Sequence, residues 1–442
     1  MLDLSLAGFR KKLWGLERRE NLFNYESSGV FLWQAFRFVI FIRIAKKLKI
    51  IETPHRMKKN ESIYSKLLTS LKRLRFFFRD PLFISQPISQ KETACILEHS
   101  RSVPYEGKNV DIYSHKLSQS FYENNTPFIR LDTGESGYDE KTNCANRFYI
   151  DLMSNLVEGL ALLLYFWPSK DDKAIFQISQ ILINDFGDAG NVGILLKKNL
   201  IKFKLEKRFY RKIFLRFNIN KLYVVVSYGR ASSIDAARSL GIEVVELQHG
   251  IISPHHPGYG VSSKGLELTY FPDKFYAWSD FWKSVYDELC LPVEVVNHGF
   301  PFLYDGIDKY LNMPKDPNKI VVISQGTIGK DLASFIFQNQ FALKNYQIKY
   351  KLHPGEYAVW KEYSDLLKLN ELKNVEVIKA CDLYALLSDS KYVIGVYSTA
   401  IYEAIELGVK PILVNLSGIE YMEDLLTSGK AVTFEGFMCN VE

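Results

Sequence analysis

Short runs of β-branched and apolar residues alternate with stretches of helical periodicity along this chain, most plainly in its second half. Lys319 to Ser324 (KIVVIS), Gln347 to Leu352 (QIKYKL), Val375 to Ile378, Tyr392 to Val396 and Pro411 to Val414 (PILV) read as buried strands. Between them, helices such as Leu383 to Ser390 (LYALLSDS) and Ile401 to Gly408 (IYEAIELG) carry apolar residues at three- and four-residue spacing. Strand and helix in alternation predict a doubly wound parallel sheet.

The first half follows the same rhythm less regularly. Thr93 to Leu97, Asn109 to Tyr113 and Pro127 to Leu131 read as strands, whereas the span from about Asn146 to Leu205 reads as helix. Lys221 to Ser227 (KLYVVVS), the helix Ala231 to Leu240 closed by Gly241, and Ile242 to Leu247 then form a β-α-β unit with parallel strands. Lys274 to Trp278 and Val293 to Gly299 look like the closing strands. The segment Pro301 to Pro317, with Asp305-Gly306 and three prolines, reads as a boundary. The expected fold class is therefore α/β, with two Rossmann-like domains facing a cleft. Residues 91–302 form the first domain with a helical layer, residues 318–442 the second, and residues 1–90 a helical extension. A chain of 442 residues suits two such domains.

Composition sharpens this picture. With 47% hydrophobic residues, 26 Tyr and 30 Phe, the chain has ample material for packed cores. The five cysteines, Cys95, Cys144, Cys290, Cys381 and Cys439, form no CxxC pair. That argues against a zinc ribbon or disulfide framework and fits a reducing cytoplasm. The opening MLDLSLAGFRKKLW has no apolar core followed by a small-residue cleavage site, so no secretory signal is expected. Val30 to Ala45, the longest apolar run, is broken by Gln34, Arg37 and Arg43 and is not expected to span a bilayer.

The net charge of +6 hides an asymmetry. Residues 1–90 hold 18 Lys and Arg against 7 Asp and Glu, and the rest of the chain is acidic. Arg10, Lys11, Lys12, Arg18, Arg19, Lys46, Lys47, Lys49, Lys72, Arg73, Arg75 and Arg79 interleave with Trp14, Phe31, Trp33, Phe36 and Phe76 to Phe78. Two readings stand open: helices lying on an anionic membrane surface through residues 1–80, or a helical extension packed on the first domain with a solvated basic face. No helix-turn-helix, zinc-finger or RNA-module signature accompanies the charge, so nucleic acid is not an expected partner.

In an open parallel sheet, ligands bind beyond the carboxyl ends of the strands, so residues that follow strands are the first candidates. His353 follows strand KYKL after Lys351 and is fixed by Pro354; its imidazole can hydrogen-bond a phosphate or assist a leaving phosphate. Ser398 and Thr399 lie where a strand gives way to a helix, a natural anion site as well as an ordinary N-cap. Glu403, one turn on, can serve as a local cap or reach ribose hydroxyls. Gln325-Gly326-Thr327 offers a turn with a close-approach glycine after the first strand of the second domain. In the first domain Gln248-His249-Gly250 ends a strand and enters a loop holding His255 and His256. No carboxylate stands at ligand spacing there, so no metal site is expected. Glu98, in Glu98-His99-Ser100-Arg101, is a candidate base. DxD, GxGxxG and GxxxxGK[ST] are all absent, which removes the usual metal-dependent transferase, dehydrogenase and P-loop readings.

Taken in order, Gln248-His249-Gly250, His353-Pro354 and Ser398-Thr399 with Glu403 in GVYSTAIYEAIELGVKP resemble bacterial surface-polysaccharide glycosyltransferases of the GT-B type, among them capsule and lipopolysaccharide sialyl- and Kdo transferases. The resemblance covers about Leu222 to Val414. It implies a metal- and cofactor-free enzyme that moves an acidic sugar from a CMP-activated donor to a glycan or lipid-linked acceptor, at the cytoplasmic side of the inner membrane. On that resemblance His353, Ser398 and Thr399 hold the donor phosphate, His249 stands at the reacting centre, and Glu98 is the base. Transferases that polymerise glycerol phosphate from CDP-glycerol resemble the chain through nearly the same signature. UDP- or GDP-sugar enzymes of GT-B type and a non-catalytic scaffold with this fold stay open beside them.

Overall fold

The computed structural model describes residues 5–51, 91–99, 101–106, 108–132, 146–166, 172–187, 191–263 and 265–439. Lys72 to Arg79 of the basic extension and Cys144 lie outside them. Seven parallel strands make the first sheet: β1 (Thr93–Leu97), β2 (Phe128–Asp132), β3 (Arg147–Tyr149), β4 (Ile219–Val225), β5 (Glu243–Leu247), β6 (Lys274–Ala277) and β7 (Glu294–Asn297). Their spatial order is β7-β6-β5-β4-β1-β2-β3. Six parallel strands make the second: β8 (Asp316–Ile323), β9 (Gln347–Lys351), β10 (Val375–Ile378), β11 (Ser390–Gly395), β12 (Lys410–Leu413) and β13 (Val432–Thr433), ordered β10-β9-β8-β11-β12-β13. Both orders reverse direction between the first and fourth strand of the sheet, which is the Rossmann arrangement, and the GT-B class expected from the sequence is what the two sheets form. All five residues of β1 are buried, as they must be in a strand covered on both faces.

Two local expectations fail. Asn109 to Tyr113 is not a strand of the parallel sheet: Lys108–Asp111 pairs antiparallel with Ser102–Tyr105 in a hairpin. A parallel partner needs a crossover of roughly a dozen residues or more, whereas the chain here turns back at once. Arg147–Tyr149, expected to be helical, is instead an edge strand; three residues are too few to show a period, and Arg147 is drawn into the sheet by the carboxylates beside it. Beyond it the helical layer is real, as α3 (Asp151–Tyr165), α4 (Lys173–Phe186) and α5 (Val192–Arg216), numbered after α1 (Leu6–Arg19) and α2 (Leu32–Lys47) of the extension. Asp172 caps α4 by accepting the amides of Ala174 and Ile175, both at 3.1 Å.

For residues 5–51 the packing reading of the basic extension holds. Phe9, Leu13, Leu16, Trp33, Ile40 and Ile44 are buried in one core with Ile178 and Leu182 of α4 and Leu196 and Phe203 of α5. Two of the extension's cations go inward rather than to solvent. Arg37 pairs with buried Glu17 at 2.5 Å and donates to the carbonyls of Pro257 and Gly260, both at 2.7 Å. Arg10 reaches Glu420 of the second domain at 3.6 Å. The extension thus braces the 251–260 loop from behind, and that loop is the one that follows His249. No described helix is long and apolar enough to cross a membrane.

Candidate functional site

The two domains meet with the carboxyl ends of their sheets towards each other. Trp282 packs on Tyr402 with ring centroids 4.2 Å apart, His255 pairs with Glu423 at 2.9 Å, and one apolar core holds residues of both domains. A Cβ added at Gly250 would stand 3.6 Å from the Thr399 methyl, so the turn after β5 faces the helix start after β11. Gly250 itself does not adopt a positive φ, so the freedom of glycine is not what turns the chain there.

On the second-domain wall, His353 is built into its place. Its Nδ1 accepts the amide of Gly355 at 3.1 Å, and its own amide donates to Glu356 Oε2 at 2.8 Å, a reciprocal cap on the turn Pro354–Glu356. Buried Glu356 also accepts the Ser324 hydroxyl at 2.9 Å. With Nδ1 accepting, the neutral ring carries its proton on Nε2, leaving that N–H as a donor on an exposed side chain. Burial, Lys351 and Arg101 together hold the imidazole below its ordinary pKa. Gly326 fits against this ring, since a Cβ there would lie 3.2 Å from Nδ1, and Gly329 makes room for Glu356, whose Oε1 would stand 1.7 Å from an added Cβ. Gly326 is therefore shaped by His353 before any ligand arrives. Glu356 was missed in the sequence, although a glutamate three residues after His353 is the cap signature that would have found it.

The neighbouring candidates divide. Ser398 caps the helix α6 (Thr399–Glu406), accepting the Ala400 amide at 3.3 Å, while Thr399 opens its first turn. Thr327 Oγ1 lies 2.7 Å from the Tyr397 hydroxyl, and Gln325 Oε1 is buried with no hydrogen-bond partner among the described residues. Lys351 is spent locally, donating to the Leu352 carbonyl at 2.8 Å and to the Tyr357 hydroxyl at 3.3 Å. Glu403 does not cap. It is buried, its pKa is raised by that burial, and Arg101 and a hydrogen bond from Tyr384 oppose the rise.

On the first-domain wall, His249 sits between two tyrosines. Tyr228 Oη is 3.2 Å from Nε2 and Tyr259 Oη is 3.3 Å from Nδ1. Tyr259 donates its proton to Glu246 Oε1 at 2.7 Å, so His249 Nδ1–H must donate to Tyr259, which leaves the Nε2 lone pair to accept. Burial above all, then His256, His99 and Arg101, push the His249 pKa down to about 3, so the ring is neutral. Glu246 is fully buried, accepts the Ser227 amide at 3.0 Å as well, and its pKa is raised by burial. Gln248, next to His249, is a clamp, donating to the Gly250 carbonyl at 3.0 Å and accepting the Trp278 amide at 2.8 Å. His255 is turned to Glu423, and His256 lies among Phe38, Tyr228 and Tyr259. Among the described residues no group of three His, Cys, Asp or Glu side chains is arranged to hold a metal ion.

Glu98 belongs to a different structure. It is buried, with Arg130 Nε at 2.6 Å from Oε1 and Arg147 Nε at 2.9 Å from Oε2, and Arg147 continues to Asp132 at 2.6 Å. Both oxygens are occupied by guanidinium donors. Held between two guanidinium groups, Glu98 forms a buried ion-pair centre in the first sheet, which the expectation of a base at this residue did not include.

Arg101, three residues on, was quoted in the sequence only as a neighbour. Its guanidinium donates to the Tyr113 hydroxyl at 2.9 Å and remains exposed, and its charge acts on His249, His353 and Glu403 at once. It is the cation that the first domain brings to the second-domain wall. Exchanging Arg101 for methionine is expected to weaken binding of a phosphate-bearing anion at this wall by roughly ten- to a hundredfold, the worth of a hydrogen bond to a charged group, with lysine recovering part of it. Titration calorimetry with inorganic pyrophosphate would read this, and unchanged affinity in the methionine variant would remove Arg101 from the site.

No protein-family model and no curated protein matches the chain. Among solved structures it is similar to UDP-GlcNAc 2-epimerase of Methanocaldococcus jannaschii in complex with UDP-GlcNAc and UDP, at 13% identity over 79% of this chain and 92% of that one, with TM-score 0.46. MurG of Acinetobacter baumannii gives 13% identity over 78% and 86%, with TM-score 0.43. The glycosyltransferase SnogD of Streptomyces nogalater gives 13% over 78% and 87%, with TM-score 0.41. At such scores the likeness adds nothing to the strand orders already described.

Proposed function

We propose that this protein is a glycosyltransferase that uses a nucleotide-activated sugar, without metal, and that the donor is a CMP-linked acidic sugar passed to a bacterial surface glycan or its lipid-linked precursor. The observation that carries the reading is the opposition, across one cleft, of an acceptor-side neutral imidazole with an oriented lone pair and a donor-side array of His353, Ser398 and Thr399. The choice of CMP over other nucleotides rests on the resemblance of the three motifs.

In this reading the donor phosphate lies at the start of helix α6, bound by Ser398, Thr399 and the Nε2–H of His353, with Arg101 closing from the opposite wall. His249 Nε2 takes the proton of the acceptor hydroxyl, displacing the Tyr228 contact. The acceptor oxygen bonds to the anomeric carbon as the bond from that carbon to the phosphate oxygen breaks. The nucleotide leaves with the bonding pair, and Arg101 and His353 face the charge it gains. Tyr259 and Glu246 keep His249 in the accepting tautomer, much as a carboxylate orients the imidazole in other His-dependent sites.

Purified protein incubated with CMP-, CDP-, UDP- and GDP-activated donors in EDTA is expected to release nucleotide from the CMP-sugar. Loss of release on adding EDTA, release confined to UDP- or GDP-sugars, or release from CDP-glycerol alone would overturn the donor assignment.

A further inference from the structure

Away from the cleft, the helical layer carries a surface that neither the fold nor the proposed reaction uses. An open groove of about 980 Å³ runs along α4 and α5, with Leu164 of α3 at one side. Phe176 and Ile194, in its lining, are 61% and 51% exposed; Leu163 and Phe166, at the end of α3, are 70% and 79% exposed. Soluble surfaces rarely leave so much apolar area together unless something covers it. The groove is also strongly cationic. Helix α5 holds nine Lys and Arg against one Glu. Three of these, Lys197, Lys204 and Arg208, line the groove and have no salt-bridge partner among the described residues, whereas Lys198 and Lys202 share Glu158 and Lys207 pairs with Asp235.

We infer that this face docks the protein on an anionic phospholipid bilayer, with the apolar side chains of α3, α4 and α5 entering the interface and the α5 cations meeting the headgroups. Charge decides between occupants. Residues 52–90 of the same chain hold eight Lys and Arg against three Asp and Glu, and a second copy docked face to face would present the same basic helix, so both would be repelled. A negative bilayer satisfies both halves of the surface, apolar groove and cationic rim. Lysine stems can lie along the apolar wall while their ammonium groups reach the phosphates. The apolar residues of the extension are spent on packing where it is described, while Lys11, Arg18, Lys46 and Lys49 are exposed there and do not line the groove, whose charge sits on α5. The inference goes beyond the proposed reaction and is read without any donor.

The test is sedimentation of the full chain with vesicles. Phosphatidylglycerol vesicles are expected to bind the protein and pure phosphatidylcholine vesicles to leave it in solution, with binding falling as salt is raised. A Lys197→Glu, Lys204→Glu, Arg208→Glu variant should lose on the order of a hundredfold in partition, at roughly fivefold for each basic residue removed. A Phe176→Ser, Ile194→Ser variant should lose at least tenfold. Phe176, Ile194 and Arg208 are exposed and Lys197 and Lys204 half-buried, and unchanged melting curves would show that both variants fold. Arg18→Glu with Lys46→Glu, on exposed positions of α1 and α2, should bind like the parent. Equal binding to the two lipids, parent-like binding by both groove variants, or loss confined to the α1 and α2 variant would overturn the inference. So would a parent chain that is dimeric in solution and becomes monomeric in the apolar variant with vesicle binding intact.

Discussion

Replacing His249 by alanine is expected to lower turnover by about 10²- to 10⁴-fold, the usual contribution of a positioned base, with little change in the Michaelis constant for the donor. The ring is tethered at both nitrogens, by Tyr228 at 3.2 Å and Tyr259 at 3.3 Å, and Tyr259 is itself fixed by its 2.7 Å bond to Glu246. Because burial holds the pKa of the free ring at about 3, His249 is a neutral acceptor throughout the physiological range. It becomes protonated only as pH falls towards that value. The acid limb of kcat/KM that belongs to His249 is therefore expected well below the ordinary histidine pKa of 6.5. Tyr259→Phe should cost less than the alanine variant, since it removes the orienting hydroxyl and leaves the base. A His249→Ala enzyme that turns over at the parent rate would sink the assignment, and an acid limb near pH 6.5 that vanishes in this variant would contradict the burial argument.

Loss of the Glu98 side chain is the second large effect, and it falls on stability. Glu98→Ala leaves Arg130 and Arg147 buried beside one missing counter-ion, and removing one partner of a buried pair costs about 3–5 kcal/mol. Asp132 still neutralises part of Arg147, so Arg130 bears most of the loss. Glu98→Gln, which keeps an acceptor oxygen, should be milder. Urea unfolding gives the stability of each variant, and turnover of the still-folded glutamine variant separates the two roles. A base would lose activity on going to glutamine with stability nearly intact; an ion-pair centre does the reverse.

Much of this molecule is legible along the chain. The strands around Thr93, Lys221, Lys319 and Pro411 declare themselves because a strand covered on both faces must be apolar at nearly every position, and that signature is local. The places after those strands, including His249, His353 and Ser398, follow from the rule that parallel sheets bind ligands at their carboxyl ends. Less visible is a charged residue inside an otherwise apolar strand. Glu246 in EVVEL is such a case, and its burial against Tyr259 was there to be suspected.

The α/β rhythm, the two-sheet class and the strand ends at which chemistry gathers can be read along the chain, because these follow from periodicities of a few residues. Pairings between distant segments are settled by the fold. Glu98 meets Arg130 and Arg147, 32 and 49 residues away, and becomes the centre of a buried ion-pair cluster. Arg37 crosses more than two hundred residues to brace the loop after His249, which turns one cation of a basic segment inward. Arg101 gains its place only when the second domain brings His353 and Glu403 to it. In each case the meaning of a charge is set by the counter-charge or burial it finds, and the folded chain alone supplies those.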